Sequence, residues 1–394
     1  METLIIRNVE IIGPERVLPP SSVICAHGTI IDILPGETHS PAHSEVDARG
    51  CYLAPGFIDL HTHGTHGLLA NNGPDALAEL SRILPSCGVT AFLPGLTPSA
   101  DDELLLHKLA KARADGAKIP AFLLEGHFLK LAGAITGIRP DYSKERAERL
   151  LAAAAPFPLV FALSPEIGSL EELLPIMTAG GLPAFITHTG AGAEDTEHAI
   201  ALGATHATHF ANVFPYGGDK EPGVRGCGAM EAILASPDTS VDFILDGEHV
   251  DPCLIKIALA CRGKNKVCLI TDANTNAGLP PGTYQGIGGR DVVVAYEGGP
   301  ARLGPACEGA GSLAGSGLTM ERAVRNAVSM LDLPLPLAVK MASANPAAVL
   351  GVDNRKGTIK AGYDADFSLL DHDLQVQACY VGGILKYQRC SAYR

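Results

Sequence analysis

The chain has 394 residues, 46% of them hydrophobic and 19% charged, with 44 glycines and a formal charge of −13. That length suits one large α/β barrel with a small accessory domain better than a single minimal core, and the apolar share excludes extended disorder. The acidic balance argues against nucleic acid or an anionic membrane as partner, so any site for an anionic substrate must be local.

The first residues, Met1-Glu2-Thr3-Leu4-Ile5-Ile6-Arg7, lack a charged-then-apolar signal pattern, and the ten cysteines form no C-x-x-C pair. Both features predict reduced thiols in a cytoplasmic protein. Residues 1–52 then alternate short β-type runs (4–6, 23–24, 29–33) with Gly and Pro punctuation, as a small antiparallel unit does. Similar runs recur at 357–359, 366–370 and 378–383. A β-sandwich built from 1–52 and 354–394 is therefore expected to flank a central domain over 53–353.

In that central domain eight short apolar runs stand out, at 56–61, 89–93, 121–125, 159–163, 184–188, 205–209, 241–246 and 267–272. Stretches of helical spacing separate them, at 74–84, 101–115, 144–153, 169–178, 195–202 and 252–261. The alternation predicts a (β/α)8 TIM barrel, whose catalytic groups belong at the C-terminal ends of its strands. Six of the eight runs do end in a potential ligand: His61 with His63, Glu125, His188, His209, Asp246 and Asp272. Strands buried on both faces have little use for such residues unless they bind something. The apolar stretch at 150–163 is broken by Pro156 and Pro158 and is too short to cross a bilayer, so no transmembrane segment is expected. After the eighth run, residues 274–316 form a long Gly/Pro-rich excursion with a hairpin expected near 292–296, the pattern of a lid or substrate loop. Helical spacing resumes at 319–331.

The strand-end chemistry is that of a metal site. His61 and His63 are spaced i, i+2, so both imidazoles leave one side of an extended chain and can grip one cation. With these residues in place, the chain resembles the N-acetylglucosamine-6-phosphate deacetylases, a branch of the amidohydrolase superfamily, over nearly its whole length. The matching stretches are Pro-Gly-Phe-Ile-Asp-Leu-His-Thr-His-Gly at 55–64, Leu-Glu-Gly at 124–126, Thr-His-Phe-Ala-Asn at 208–212, Asp-Gly-Glu-His-Val at 246–250, Thr-Asp-Ala at 271–273 and Leu-Ala-Gly-Ser-Gly-Leu-Thr-Met at 313–320. The resemblance implies that Glu125, His188 and His209 hold one divalent metal ion and that His61 and His63, with Glu125 bridging, could hold a second, so that one or two ions are expected per subunit, zinc or iron by donor type. It implies Asp272 as the catalytic acid/base. It points to Asn212, Val213, His249 and Leu313 for substrate binding. Lys220 would meet a substrate phosphate from a neighbouring subunit, which implies a homodimer. Histidines 27, 43, 66, 107, 198, 206 and 372 match no ligand position and are read as surface or packing residues.

Three positions depart from the family pattern. His127 stands where the family has proline, Ile135 where it has a histidine that contacts the substrate amide, and Lys220 where it has an arginine. His127 is the candidate to replace the missing histidine in substrate binding. The reaction expected is hydrolysis of the N-acetyl group of N-acetylglucosamine-6-phosphate, in amino-sugar catabolism. The alternatives are deacetylation of another N-acyl sugar or a non-phosphorylated amide, and a catalytically silent barrel kept as a binding protein. A dihydroorotase-like activity is disfavoured because no strand-4 lysine lies near 161–164.

Overall fold

The computed structural model describes residues 3–38 and 44–389. Cys390 and His43 lie outside the described residues.

The eight apolar runs become eight parallel strands, Phe57–Thr62, Val89–Leu96, Phe122–Phe128, Leu159–Leu163, Phe185–Ile186, His206–Ala207, Ser240–Ile244 and Val267–Ile270, hydrogen-bonded side by side in chain order. Packed interior on one face and helices on the other explain why these strands are unbroken apolar runs rather than alternating ones. Val89–Leu96 and Leu159–Leu163, for example, are buried at every residue. The barrel closes between its first and last strands: the Asp272 N–H donates to the His61 carbonyl at 2.8 Å, and the His63 N–H donates to the Ala273 carbonyl at 3.0 Å. The closing seam thus runs through residues of the candidate site.

The expected helices surround the barrel, with two differences. The segment predicted as helical over 101–115 is helical only from Asp102 to Leu109. Asp101 caps it by accepting the Leu104 N–H, and the chain then turns back so that the Ala117 and Lys118 N–H groups reach the Ser81 and Thr90 carbonyls, both at 2.8 Å. A further helix, Ala229–Ala235, was not anticipated; the Glu231 carboxylate accepts the Gly228 N–H at 3.0 Å and so secures its first turn. After the barrel, Met320–Leu331 buries Met320, Ala323, Val324, Ala327 and Leu331, the stripe of an amphipathic helix. The Asn326 amide fixes it to the Leu245 carbonyl at 2.7 Å.

Strands from both termini combine, as expected. Phe367–Leu370 pairs antiparallel with Tyr52–Pro55, and Thr3–Ile12 joins Val17–Ala26 in the same eight-stranded sheet. The sheet encloses its own apolar cluster, which includes Ile6, Val23, Leu53, Phe367 and Tyr380. The excursion over 274–316 carries a three-stranded antiparallel sheet, Gly282–Gln285, Asp291–Val294 and Arg302–Leu303, so the hairpin expected near 292–296 begins slightly earlier. Val292, Ala301, Leu303 and Ala314 give this insertion a small core of its own.

Candidate metal centre and active site

Glu125 sits at the centre of the strand ends and divides its carboxylate between two pairs of histidines. Oε1 faces His209 Nε2 at 2.8 Å and His188 Nε2 at 3.4 Å, while Oε2 faces His63 Nε2 at 3.0 Å and His61 Nε2 at 3.3 Å. Asp272 completes the second side, with Oδ1 3.2 Å from His63 Nε2. His61 with Glu125 and His209, and His61 with His63 and Asp272, each bring their ligand atoms within 4.8 Å of one another. The strand ends therefore bring all five expected ligands and Asp272 together.

The outer nitrogens of two rings define how the inner ones can act. His63 Nδ1 lies 2.9 Å from the Gly95 carbonyl and His188 Nδ1 2.8 Å from the Leu131 carbonyl. A carbonyl can only accept, so each Nδ1 carries the proton, and in the neutral ring Nε2 presents a lone pair to Glu125. Lone pairs and carboxylate oxygens converging in a buried space repel unless protons or a cation lie among them. The donor set, imidazole nitrogen with carboxylate oxygen and outer carbonyl partners, fits a divalent ion such as zinc or iron.

The backbone pays for this convergence in conformation. His188, His209 and Asp272 have φ of 48°, 32° and 44°, a left-handed region that non-glycine residues rarely adopt. These bends end the fifth, sixth and eighth strands and aim the side chains into the barrel mouth. Asp242, inside the seventh strand, accepts the His209 N–H with Oδ1 and pairs through Oδ2 with His206 Nε2 at 2.8 Å; His206 Nδ1 lies 2.8 Å from the Ser240 hydroxyl. His206 is thus a packing residue, as read from sequence, but its partner braces a ligand. Sequence reasoning missed Asp242. Its signal was a carboxylate in the middle of the buried run Val-Asp-Phe-Ile.

Electrostatics follow from this crowding. Burial works against charge on Glu125, but the surrounding His61, His188 and His209 outweigh it and hold the carboxyl well below its usual range. Burial likewise opposes charge on His63, yet the hydrogen bonds it donates to the Asp272 and Glu125 carboxylates raise it to about 10. Asp59, buried beneath the centre and bonded to the Thr271 hydroxyl at 2.6 Å, is pushed up to about 7 by burial.

A cavity of about 630 Å³ opens above these groups. Asn212, Val213, His249 and Leu313 line it, with Ile135, Thr136 and residues of the insertion. His249 Nδ1 is held by Asp246 at 2.7 Å, while its buried Nε2 has no partner. Asp246, one of the strand-end candidates, therefore serves His249 and not the metal cluster. His127 is not brought into the cavity. Although it lies two residues beyond Glu125, Gly126 at φ +104° interrupts the strand's alternation, and the His127 ring lies 3.5 Å from Asp102 in the wall behind. Lys220 sits on an exposed two-stranded hairpin, Asp219–Glu221 with Val224–Arg225, and does not line the cavity of its own chain.

Comparison with known proteins agrees with the geometry. Residues 184–386 match the amidohydrolase family. The N-acetylglucosamine-6-phosphate deacetylase of Vibrio furnissii is 31% identical over 93% of this chain and 91% of its own length. The N-acetylgalactosamine-6-phosphate deacetylase of Escherichia coli O157:H7 is 30% identical over 84% of this chain and 87% of its own. Among solved structures, a variant N-acetyl-D-glucosamine-6-phosphate deacetylase from Mycobacterium smegmatis, in complex with N-acetyl-D-glucosamine-6-phosphate, superposes with a TM-score of 0.86 at 28% identity over 98% of this chain and 100% of that one. With the barrel, the strand-end ligands and these relatives in agreement, the chain belongs to the N-acetylglucosamine-6-phosphate deacetylase family of the amidohydrolases.

Proposed function

We propose that this protein is a metal-dependent hydrolase that removes the acetyl group from the amide nitrogen of an N-acetylated amino-sugar phosphate, releasing the amino sugar and acetate. N-acetylglucosamine-6-phosphate is the first substrate to test. The observation that carries the reading is the Glu125 carboxylate shared between two histidine pairs, with Asp272 3.2 Å from His63, at the floor of a cavity of sugar size.

Glu125, His188 and His209 would hold one divalent ion, and His61 and His63 with the other oxygen of Glu125 a second. An ion held there supplies hydroxide at neutral pH and Lewis acidity towards the acyl oxygen. Asp272 takes a proton from the attacking water and returns it to the departing amine, which cannot leave unprotonated. The unpartnered His249 Nε2, backed by Asp246, is placed to meet a sugar hydroxyl, and Asn212, Val213 and Leu313 shape the ring's seat. Lys220, exposed and outside the lining of its own cavity, would reach the phosphate in a neighbouring copy, so the assembly we propose is a homodimer. Cytoplasmic residence fits the chemistry of an intracellular sugar phosphate. Among the described residues no helix is long and apolar enough to cross a membrane.

Acetate release by zinc- or iron-loaded protein, compared for N-acetylglucosamine-6-phosphate, its galacto epimer and both unphosphorylated sugars, tests the reading. A strong preference for a phosphorylated sugar supports it, and the ratio between epimers assigns the stereochemistry. The second reading, an amide hydrolase of a different N-acyl compound, rests on Ile135, an apolar side chain on the cavity wall where relatives would place a hydrogen-bonding histidine. Turnover of an N-acyl compound without phosphate, exceeding that of all four sugars, would favour it.

A further inference from the structure

Among the described residues, the insertion contributes the only Lys or Arg side chain on the wall of the active-site cavity, Arg290. Arg290 immediately precedes the strand residues that form the insertion's own core and follows a turn in which the Gly286 N–H donates to the Arg290 carbonyl at 2.8 Å and the Gly289 N–H to the Gly286 carbonyl at 3.1 Å. Gly288 in that turn has φ +68°, and a Cβ there would fall 2.3 Å from the Thr136 hydroxyl. Only glycine lets the turn come this close. The turn therefore meets the 132–136 loop across the cavity, and Arg290 stands beside that junction, facing the same enclosed space as Ile135 and Ser312.

Arg290 Nε is buried and has no hydrogen-bond partner. A buried guanidinium donor without an acceptor is unfavourable, and an incoming anionic group would supply the acceptor. Outside the metal cluster the lining carries one carboxylate, Glu308, and that residue is exposed at the rim. Deeper in, the wall is neutral apart from Arg290 and histidines. We propose that Arg290 is the residue that recognises the anionic substituent of the substrate, taking a phosphate monoester in the planar fork of its guanidinium from within the same subunit as the metal centre. This rests on the deacetylase reading above and adds to it: phosphate recognition does not depend solely on a lysine lent by a second copy.

The test compares wild type with Arg290→Met, which keeps the length of the side chain, and Arg290→Lys. Acetate release is measured from N-acetylglucosamine-6-phosphate and from N-acetylglucosamine, and binding of glucosamine-6-phosphate to the metal-loaded proteins is followed by calorimetry. Arg290→Met is expected to raise KM for the phosphorylated sugar by about tenfold to a hundredfold with little change in kcat, and to weaken glucosamine-6-phosphate binding by a similar factor. Turnover of the unphosphorylated sugar should fall far less than that of the phosphorylated one, and Arg290→Lys should recover part of the loss. An unchanged preference for the phosphorylated sugar, or an equal loss on both sugars, overturns the proposal. If wild type turns over neither sugar, the deacetylase reading falls and calorimetry decides for Arg290 separately: weaker phosphate-ester binding by Arg290→Met upholds the anion site, and absent or equal binding overturns it.

Discussion

His63 Nε2 lies 3.2 Å from Asp272 and 3.0 Å from Glu125, so the space proposed for a cation is also the space of shared protons. Burial disfavours charge on His63 and His209, but neighbouring carboxylates raise them to about 10 and about 9 in the metal-free chain. At pH 7 both rings then hold a proton that a metal ion must displace. Zinc loading at that pH is expected to release about two protons per chain, with apparent affinity rising as the pH is raised. Calorimetry in buffers of different ionisation heat counts these protons. Raised histidine pKa values also stabilise the metal-free fold below the ordinary histidine value, and that contribution is lost as pH rises through about 9 and about 10. The melting temperature gap between metal-loaded and metal-free protein should accordingly widen from neutral to alkaline pH; a constant gap would mean that the rings are neutral throughout.

Asp272→Asn separates binding from chemistry. The amide keeps the side chain's size but cannot accept the proton of an attacking water at neutral pH. Turnover should fall by about a thousandfold, within the range measured for general acid–base groups. Metal content should persist, because the five proposed ligands, His61, His63, Glu125, His188 and His209, all remain. Wild-type turnover in the metal-loaded variant would remove Asp272 from the proposed proton path.

These site residues were legible in the sequence because they follow the simplest of structural periods. A ligand at the end of a buried strand is anomalous where apolar side chains belong, and His61 with His63 shows the two-residue repeat directly. His127 lies two residues beyond Glu125, a spacing that puts both side chains on one side of a regular strand, but the left-handed Gly126 breaks the repeat, and a local backbone irregularity of that kind leaves no pattern to read. Arg290 was invisible for a different reason. It lies in an irregular insertion whose position over the barrel is set by contacts such as Gly288 with Thr136, between residues far apart in the chain.

Asp242 tests how far the centre depends on its supports. Truncation to alanine would leave the His206 ring and the His209 N–H facing a buried void, both having lost an acceptor. A destabilisation of about 2–5 kcal/mol is expected from urea unfolding. Zinc affinity should fall about tenfold to a hundredfold, the usual effect of removing an outer partner of a metal ligand. Asp242→Asn retains an oxygen for the His209 N–H and should lose less of both. Undiminished zinc affinity in the folded alanine variant would confine Asp242 to packing.

Gly95 offers the sharpest test, because the position contributes no side chain at all. A Cβ placed there would stand 2.9 Å from His63 Cε1 and Nδ1 and 3.2 Å from His61 Cδ2, closer than carbon atoms tolerate. The backbone cannot retreat easily: Gly95 is paired with Leu123 in the barrel, and its carbonyl holds His63 Nδ1 at 2.9 Å. The rings must move instead, and a displaced ring loses the alignment that points its Nε2 at Glu125. Gly95→Ala should therefore weaken metal binding on the His61/His63 side by about tenfold or more. The His188/His209 side, across Glu125, should be affected far less. Titration with zinc under a competing chelator would then show one site kept and one weakened, with turnover at limiting metal falling accordingly. Two unaltered binding steps would show that the strand yields and the imidazoles do not.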